Sequence, residues 1–458
     1  MPKLTINGVP VDVEDGATIL QAARRAGVQV PTLCHMDGRA PIGACRVCLV
    51  QVEGVADPVA SCSIPAAEGM VVHTNNRFVR DARRTVVELL LSEHEGDCKT
   101  CDRNEDCELQ ALARDLGIKE IRYPGAKAGR VYDASTPGLR RDSGKCVGCR
   151  RCVEVCSAIQ AVGALCPQGR GFATVVGPAF AQPLSSVSCV QCGQCAAVCP
   201  VGAITERDQV EEVWAALDNP AKWVVAQTAP AIRAALGECF GNPPGTLVTG
   251  KMVTALRKLG FDAVFDTNFA ADLTIMEEGS ELLSRLKAVL VEGKPAALPM
   301  FTSCSPGWIN FAEFYFPQFL PNISTCKSPQ QMFGALAKTY YAQKEGIDPA
   351  SIVVVSVMPC TAKKFEAERG EMNGSGFKDV DYVLTTRELG RMIQESGIDF
   401  LSLPDEEQDS PMGLSSGAAD IFANTGGVME AALRTVYEVV TGRELPTKKL
   451  HVTPIQGL

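Results

Sequence analysis

The pattern that constrains this chain most is a cysteine run that occurs twice. Cys146, Cys149, Cys152 and Cys156 follow the spacing C-x2-C-x2-C-x3-C, and Cys189, Cys192, Cys195 and Cys199 repeat it 43 positions later (146 to 189). Four thiolates so spaced wrap a cubane 4Fe–4S cluster. Where two such runs occur together, the fourth cysteine of each crosses to the other cluster. Disulfides do not explain eight cysteines repeating in register, and zinc sites usually pair two separated C-x2-C units. The spacing therefore predicts two cubanes and a chain that carries electrons.

Composition narrows the setting. At 458 residues, the chain has room for three or four domains of roughly 150 residues each. Its 46% hydrophobic content is ample for real cores. A formal charge of -9 argues against nucleic acid or an anionic membrane surface as partner. Twenty cysteines, most of them in metal-ligand spacing, point to a reducing cytoplasm. The N-terminus, MPKLTINGVPVDVEDG, alternates like a strand pair and has no apolar leader core. The most apolar run, Ser351 to Met358, is strand-sized and far short of a bilayer span, so a soluble chain is expected.

Ahead of the repeat lie two further ligand sets. Lys3 to Val13 reads as a hairpin around Asn7-Gly8, and Thr18 to Ala26 as a helix. Cys34, Cys45, Cys48 and Cys62 follow, with Gly38 and Gly43 placed to let the loop wrap a planar cluster. With cubane runs downstream, this set favours 2Fe–2S over zinc. Phe78 to Leu91 is apolar at helical spacing, with arginines on the other face, and delivers His94, Cys98, Cys101 and Cys107. A histidine is most often a solvated side chain, but the chain has only four, and this one precedes three cysteines that lack a fourth. Zinc would accept three cysteines and one histidine; the order of domains favours a His-ligated 4Fe–4S cluster. Cys166, in the insertion Ser157 to Ser188, stands outside every motif and reads as a buried apolar thiol.

From residue 209 onward, helices alternate with short apolar strands at Trp223–Gln227, Ala263–Phe265, Ala296–Met300 and Ile352–Val357. That is an α/β pattern, with functional loops expected where strands end; Thr302 and Met358 both follow such strands.

These motifs together resemble the iron-only (FeFe) hydrogenases, in particular the large subunit of NAD(P)-linked, electron-bifurcating members. The first 77 residues resemble the β-grasp 2Fe–2S domain that opens those enzymes and the large iron–sulfur subunit of respiratory NADH dehydrogenase. The later half matches through Thr228-Ala229-Pro230, Ile275-Met276-Glu277-Glu278, Phe301-Thr302-Ser303-Cys304, Ser328-Pro329-Gln330-Gln331, Met358-Pro359-Cys360-Thr361-Ala362-Lys363-Lys364 and Thr425-Gly426-Gly427-Val428-Met429-Glu430-Ala431. The resemblance implies a multidomain chain of α/β and α+β parts. These are a β-grasp 2Fe–2S domain (1–77), a small 4Fe–4S domain with one histidine and three cysteine ligands (78–125), a two-cluster ferredoxin domain (126–208) and a hydrogenase-like domain (209–458) lacking its C-terminal part.

In the family, the active centre (the H-cluster) joins a cubane through a cysteine sulfur to a diiron unit. The resemblance assigns Ala229, Pro230, Gln330, Met358 and Lys363 to the diiron pocket, and Cys304, Glu278, Ser324, Glu281 and Arg285 to the proton route. Glu278 and Glu281, three apart, share a helical face, a spacing that by itself marks only a solvated surface. Cys360 matches a cubane ligand, but the ligand position after Cys304 is Ser305, and the motif carrying the last two ligands is absent before Leu458. The expectation is one 2Fe–2S and three 4Fe–4S clusters with the H-cluster lost. Such a chain would be a relay between a flavin-containing NAD(P)-binding subunit and ferredoxin, in a hetero-oligomer that includes a small 2Fe–2S subunit. The alternative is a catalytic hydrogenase subunit whose C-terminal segment is missing from this chain. No G-x-G-x-x-G signals a nucleotide site of the chain's own.

Overall fold

The computed structural model describes residues 1–125, 127, 129–422 and 426–446. The chain divides into two compact units, Met1–Cys189 with Gly193–Glu206, and Val190–Cys192 with Arg207–Leu458.

In the first unit, β1 (Lys3–Ile6) and β2 (Val9–Asp12) pair antiparallel. Asn7 and Gly8 between them have φ of 51° and 84°, the left-handed region these two residues tolerate best, so the anticipated hairpin forms. α1 (Ile19–Arg25) opens with a capping box. The Thr18 side chain accepts from the Gln21 amide, and the Gln21 side chain accepts from the Thr18 amide. Its Ile19, Leu20, Ala22 and Ala23 are fully buried in the core under the sheet. β3 (Leu49–Val52), β4 (Val59–Ala60) and β5 (Val71–His73) complete that sheet in the order β2-β1-β5-β3-β4, with β1 and β5 parallel.

α2 (Arg77–Glu93) occupies the expected stretch, but its faces differ from the sequence reading. Arg83 is turned inward at 6% exposure, while Phe78 lies out at 46%. The guanidinium is satisfied because Nε and Nη2 both donate to the Leu49 carbonyl, at 2.9 and 2.6 Å. Burial pushes its pKa down to about 10. This buried bond ties α2 to the residue that follows Cys48.

α3 (Glu108–Asp115) packs on α2. Then come β6 (Tyr132–Asp133), β7 (Leu139–Asp142), α4 (Arg151–Glu154), β8 (Cys166–Gln168), β9 (Val175–Gly177), α5 (Gln194–Ala197) and β10 (Ile204–Glu206). β10, β7 and β6 form an antiparallel sheet; β8 and β9 form a separate two-stranded ribbon. Cys166 opens β8 and is half-exposed, not buried as its apolar setting suggested. A two-stranded ribbon has no further strand to cover its edge.

The second unit holds α6 (Val210–Leu217), β11 (Trp223–Thr228), α7 (Ile232–Ala235), α8 (Thr249–Leu259), β12 (Ala263–Asp266) and α9 (Thr267–Leu290). These are followed by α10 (Pro306–Tyr315), α11 (Pro329–Leu336), α12 (Ala342–Glu345), β13 (Ile352–Val357), α13 (Ala362–Ala367), β14 (Tyr382–Leu384) and α14 (Thr386–Glu395). All strand pairs are parallel, in the order β12-β11-β13-β14. All six residues of β13 are buried, as a parallel strand covered on both faces requires. The chain leaves β11 toward one side and returns to β13 on the other. The carboxyl ends of β11 and β13 therefore flank a topological switch point, where open α/β sheets bind their ligands.

Two strand expectations need correction. Ala296–Met300 is irregular: Pro295 just before it and Pro299 within it have no amide hydrogens to give to a ladder. Thr302 thus follows only an isolated bridge between Phe301 and Ile323. Thr425, in the last matched string, lies outside the described residues. No described helix is long and apolar enough to cross a membrane.

Candidate functional site

Cys34, Cys45, Cys48 and Cys62 are all buried and none forms a disulfide. Their thiols face one another. Hydrogen bonds from Cys45 and Cys62 draw the Cys34 thiol well down, and one from Cys62 lowers Cys48 to about 6. Cys45 and Cys62 are pushed up by the same contacts. Four thiols this close cannot all ionise without a cation among them, which iron would supply. The loop wraps as Gly38 and Gly43 allow (φ 71° and 65°), and the Val47 amide reaches Cys45 Sγ at 3.5 Å.

His94 caps the C-terminus of α2, and Cys107 sits at the N-cap of α3. With Cys98 and Cys101 they line one small enclosed space. The Nδ1 of His94 lies 2.9 Å from the Lys145 carbonyl. A carbonyl only accepts, so Nδ1 carries the hydrogen and Nε2 is left with a free lone pair, the arrangement of a metal-ligating histidine. Burial lowers the His94 pKa, which favours that neutral ring.

The repeat closes around a third space. Cys146, Cys149 and Cys152 line it together with Cys199, the fourth cysteine of the second run. These are the four thiols that the predicted crossover requires at the first site. Burial pushes Cys149 up to about 12 and raises Cys152 as well, with neighbouring thiols adding to the effect. The repeat is conformational as well as chemical. Gly148 and Arg150 have φ of 62° and 63°, and their counterparts Gln191 and Gly193 have 55° and 75°. Cys156, Cys189 and Cys195 pack against the same core; Cys192 belongs to the stretch Val190–Cys192 grouped with the second unit.

In the second unit, the switch point carries a cavity of about 330 Å³. Ala229 and Pro230 reach it from the end of β11, Met358 from the end of β13, and Cys304, Gln330 and Lys363 from the loops and helices around them. The five pocket residues and Cys304, far apart in sequence, are thus brought together. Cys360 is half-buried beside them, and Ser305 is exposed at the N-cap of α10, where its side chain makes no capping bond. Of these two positions, Cys360 offers a thiolate and Ser305 only a hydroxyl, a poor ligand for iron.

Behind Cys304 runs a chain of polar groups. Glu278 Oε1 accepts from the Ser303 amide at 3.4 Å, and its Oε2 is buried without a partner. Glu281 accepts from the Ser324 hydroxyl at 2.9 Å and from Arg285 at 2.5 Å. Burial raises the Glu278 pKa. Burial also opposes ionisation of Glu281, but Ser324, the Thr325 amide and Arg285 together hold its carboxyl below the usual value. The two acids on this helix are thus shifted in opposite directions, Glu278 upward by burial and Glu281 downward by its donors. Sequence reasoning missed Glu366. It accepts from Lys363 Nζ and Gln330 Nε2, both at 3.0 Å, and from Ser328 at 2.8 Å, orienting two cavity residues at once. Its place three residues after Lys363, on α13, was the available signal.

A chain with cysteine nests for clusters and a cofactor-sized cavity at its α/β switch point is an iron–sulfur oxidoreductase. It belongs to the iron-only hydrogenase large-subunit family, whose C-terminal domain matches residues 222–458. A 2Fe-2S iron-sulfur cluster binding domain matches residues 2–77, the NADH-ubiquinone oxidoreductase-G iron-sulfur binding region residues 83–122, and a 4Fe-4S binding domain residues 187–205. The chain is 51% identical over 463 residues to NADP-reducing hydrogenase subunit HndD of Solidesulfovibrio fructosivorans. It is 41% identical over 461 residues to iron hydrogenase 1 of Clostridium pasteurianum. All of this chain is covered in both comparisons, and 79% of each relative. A solved FeFe-hydrogenase overlays 55% of this chain and 62% of its own at 47% identity, with a TM-score of 0.48.

Proposed function

We propose that this chain is the iron–sulfur relay subunit of an NAD(P)- and ferredoxin-linked, electron-bifurcating complex. It passes electrons between a flavin subunit and ferredoxin in the cytoplasm. The observation that carries this reading is the closure of Cys199 onto Cys146, Cys149 and Cys152. That crossover is the wiring of a two-cluster relay. The name of the HndD relative, a subunit of an NADP-reducing hydrogenase, supports the nucleotide link. Loss of the H-cluster rests on Ser305 alone. Anaerobically loaded protein is expected to hold about fourteen irons per chain, two in the binuclear site and four in each of three cubanes. Stoichiometric zinc, or clearly fewer irons, overturns the reading.

A second reading, hydrogen turnover, is favoured by the cavity and by the buried acid behind Cys304. Lys363 Nζ donates to the Cys304 carbonyl at 2.9 Å, which fixes the cavity wall. Infrared spectra of protein supplied with diiron precursor decide between the two. Bands from iron-bound carbonyl and cyanide, with hydrogen turnover, make the chain catalytic; their absence leaves the relay.

A further inference from the structure

Lys145 stands between two of the cluster sites and touches the first of them twice. Its carbonyl accepts from His94 Nδ1 at 2.9 Å, and its ammonium lies 3.5 Å from Cys101 Sγ. Its own peptide then leads directly into Cys146. The turn that holds it is pinned: Gly144 donates to Asp142 Oδ1 at 3.1 Å, and Arg130 grips that carboxylate through Nε and Nη2 at 3.1 and 2.6 Å. Gly202 leaves the room this needs. A Cβ there would lie 2.8 Å from Cys101 Sγ and 3.5 Å from Lys145 Cδ.

Resting on the relay reading, we propose that Lys145 is the positioning residue that couples the His94 site to the Cys146 site. Its backbone completes a route of one hydrogen bond and otherwise covalent bonds, from imidazole through carbonyl and peptide to the Cys146 thiolate. Its ammonium favours the reduced, more negative form of the His94 cluster and so raises that cluster's potential. Clusters held at the two sites would exchange one electron along that route, one oxidised as the other is reduced, with no bond or proton moved.

The test is an EPR-monitored redox titration of the full, anaerobically loaded chain. Lys145→Met is expected to move the midpoint of one cluster to more negative potential while the others stay, with unchanged iron. Lys145→Arg, which keeps the charge, is expected to hold the original value. His94→Cys, which adds a thiolate, assigns the signal by moving it in the same direction. An unmoved midpoint at full iron overturns the proposal, as does an equal shift in every cluster. Loss of about four irons in Lys145→Met also overturns it, because Lys145 would then serve assembly. Zinc or no metal at His94 in the unaltered chain would instead remove the relay reading itself.

Discussion

Glu278 shows how differently two neighbours on one helix can be poised. Spacing placed Glu278 and Glu281 on a common face, yet only the fold buries one with an unpartnered Oε2 and gives the other Ser324 and Arg285. The folded pKa of Glu278 lies above its ordinary value of 4.5, so the folded chain keeps a proton that the unfolded chain has released. The stability this contributes is complete below 4.5 and is lost as the pH rises through the folded value. Glu278→Gln removes that loss. The variant is expected to unfold at a higher temperature than the parent at pH 8, with the advantage shrinking as the pH falls toward the ordinary carboxylate range. A variant less stable than the parent at pH 8 would show that the bond from the Ser303 amide outweighs the cost of burying the charge. Ser305 was legible at once as a departure from the family pattern. Glu366 was not, because its importance lies in whom it meets, Ser328 and Gln330 from another helix.

At the scale of elements, the cysteine runs were readable because ligand spacing is written in the chain. The left-handed positions inside them were not, since arginine at 150 and glutamine at 191 give no hint of positive φ. The left-handed conformation costs a non-glycine residue about 1–2 kcal/mol. Arg150→Gly is therefore expected to keep all its iron, whereas the β-branched Arg150→Ile should lose a four-iron cluster. Iron assay of the two proteins checks this. The strand expected at Ala296–Met300 failed because hydrophobicity was read without Pro295 before it and Pro299 inside it. α14 depends on a contact that periodicity could not show. Lys364, with its side chain wholly buried, donates to Glu388 at 2.8 Å, and Glu388 also caps the helix through the Thr385 amide. Lys364→Met strands that carboxylate and is expected to cost about 3–5 kcal/mol in denaturant unfolding. Adding Glu388→Gln should recover part of the loss; no recovery would mean the charge is not what the lysine serves.

For the whole molecule, the N-terminal ligands could be named from sequence because each set is local, within a loop or a helix turn. The cavity of the second unit needed the family resemblance, because Ala229, Gln330 and Met358 are ordinary residues that only the parallel sheet assembles. Cys199 has a further consequence, in time. The sites at Cys34–Cys62 and His94–Cys107 can be completed from what the ribosome has already released. The site at Cys146 cannot, because three of its thiolates emerge early and the fourth follows a loop of roughly fifty residues. Until Cys199 emerges, an incoming cubane finds an incomplete set. A cubane held by all four would clasp both ends of the loop, and folding of the intervening stretch would then be linked to iron supply.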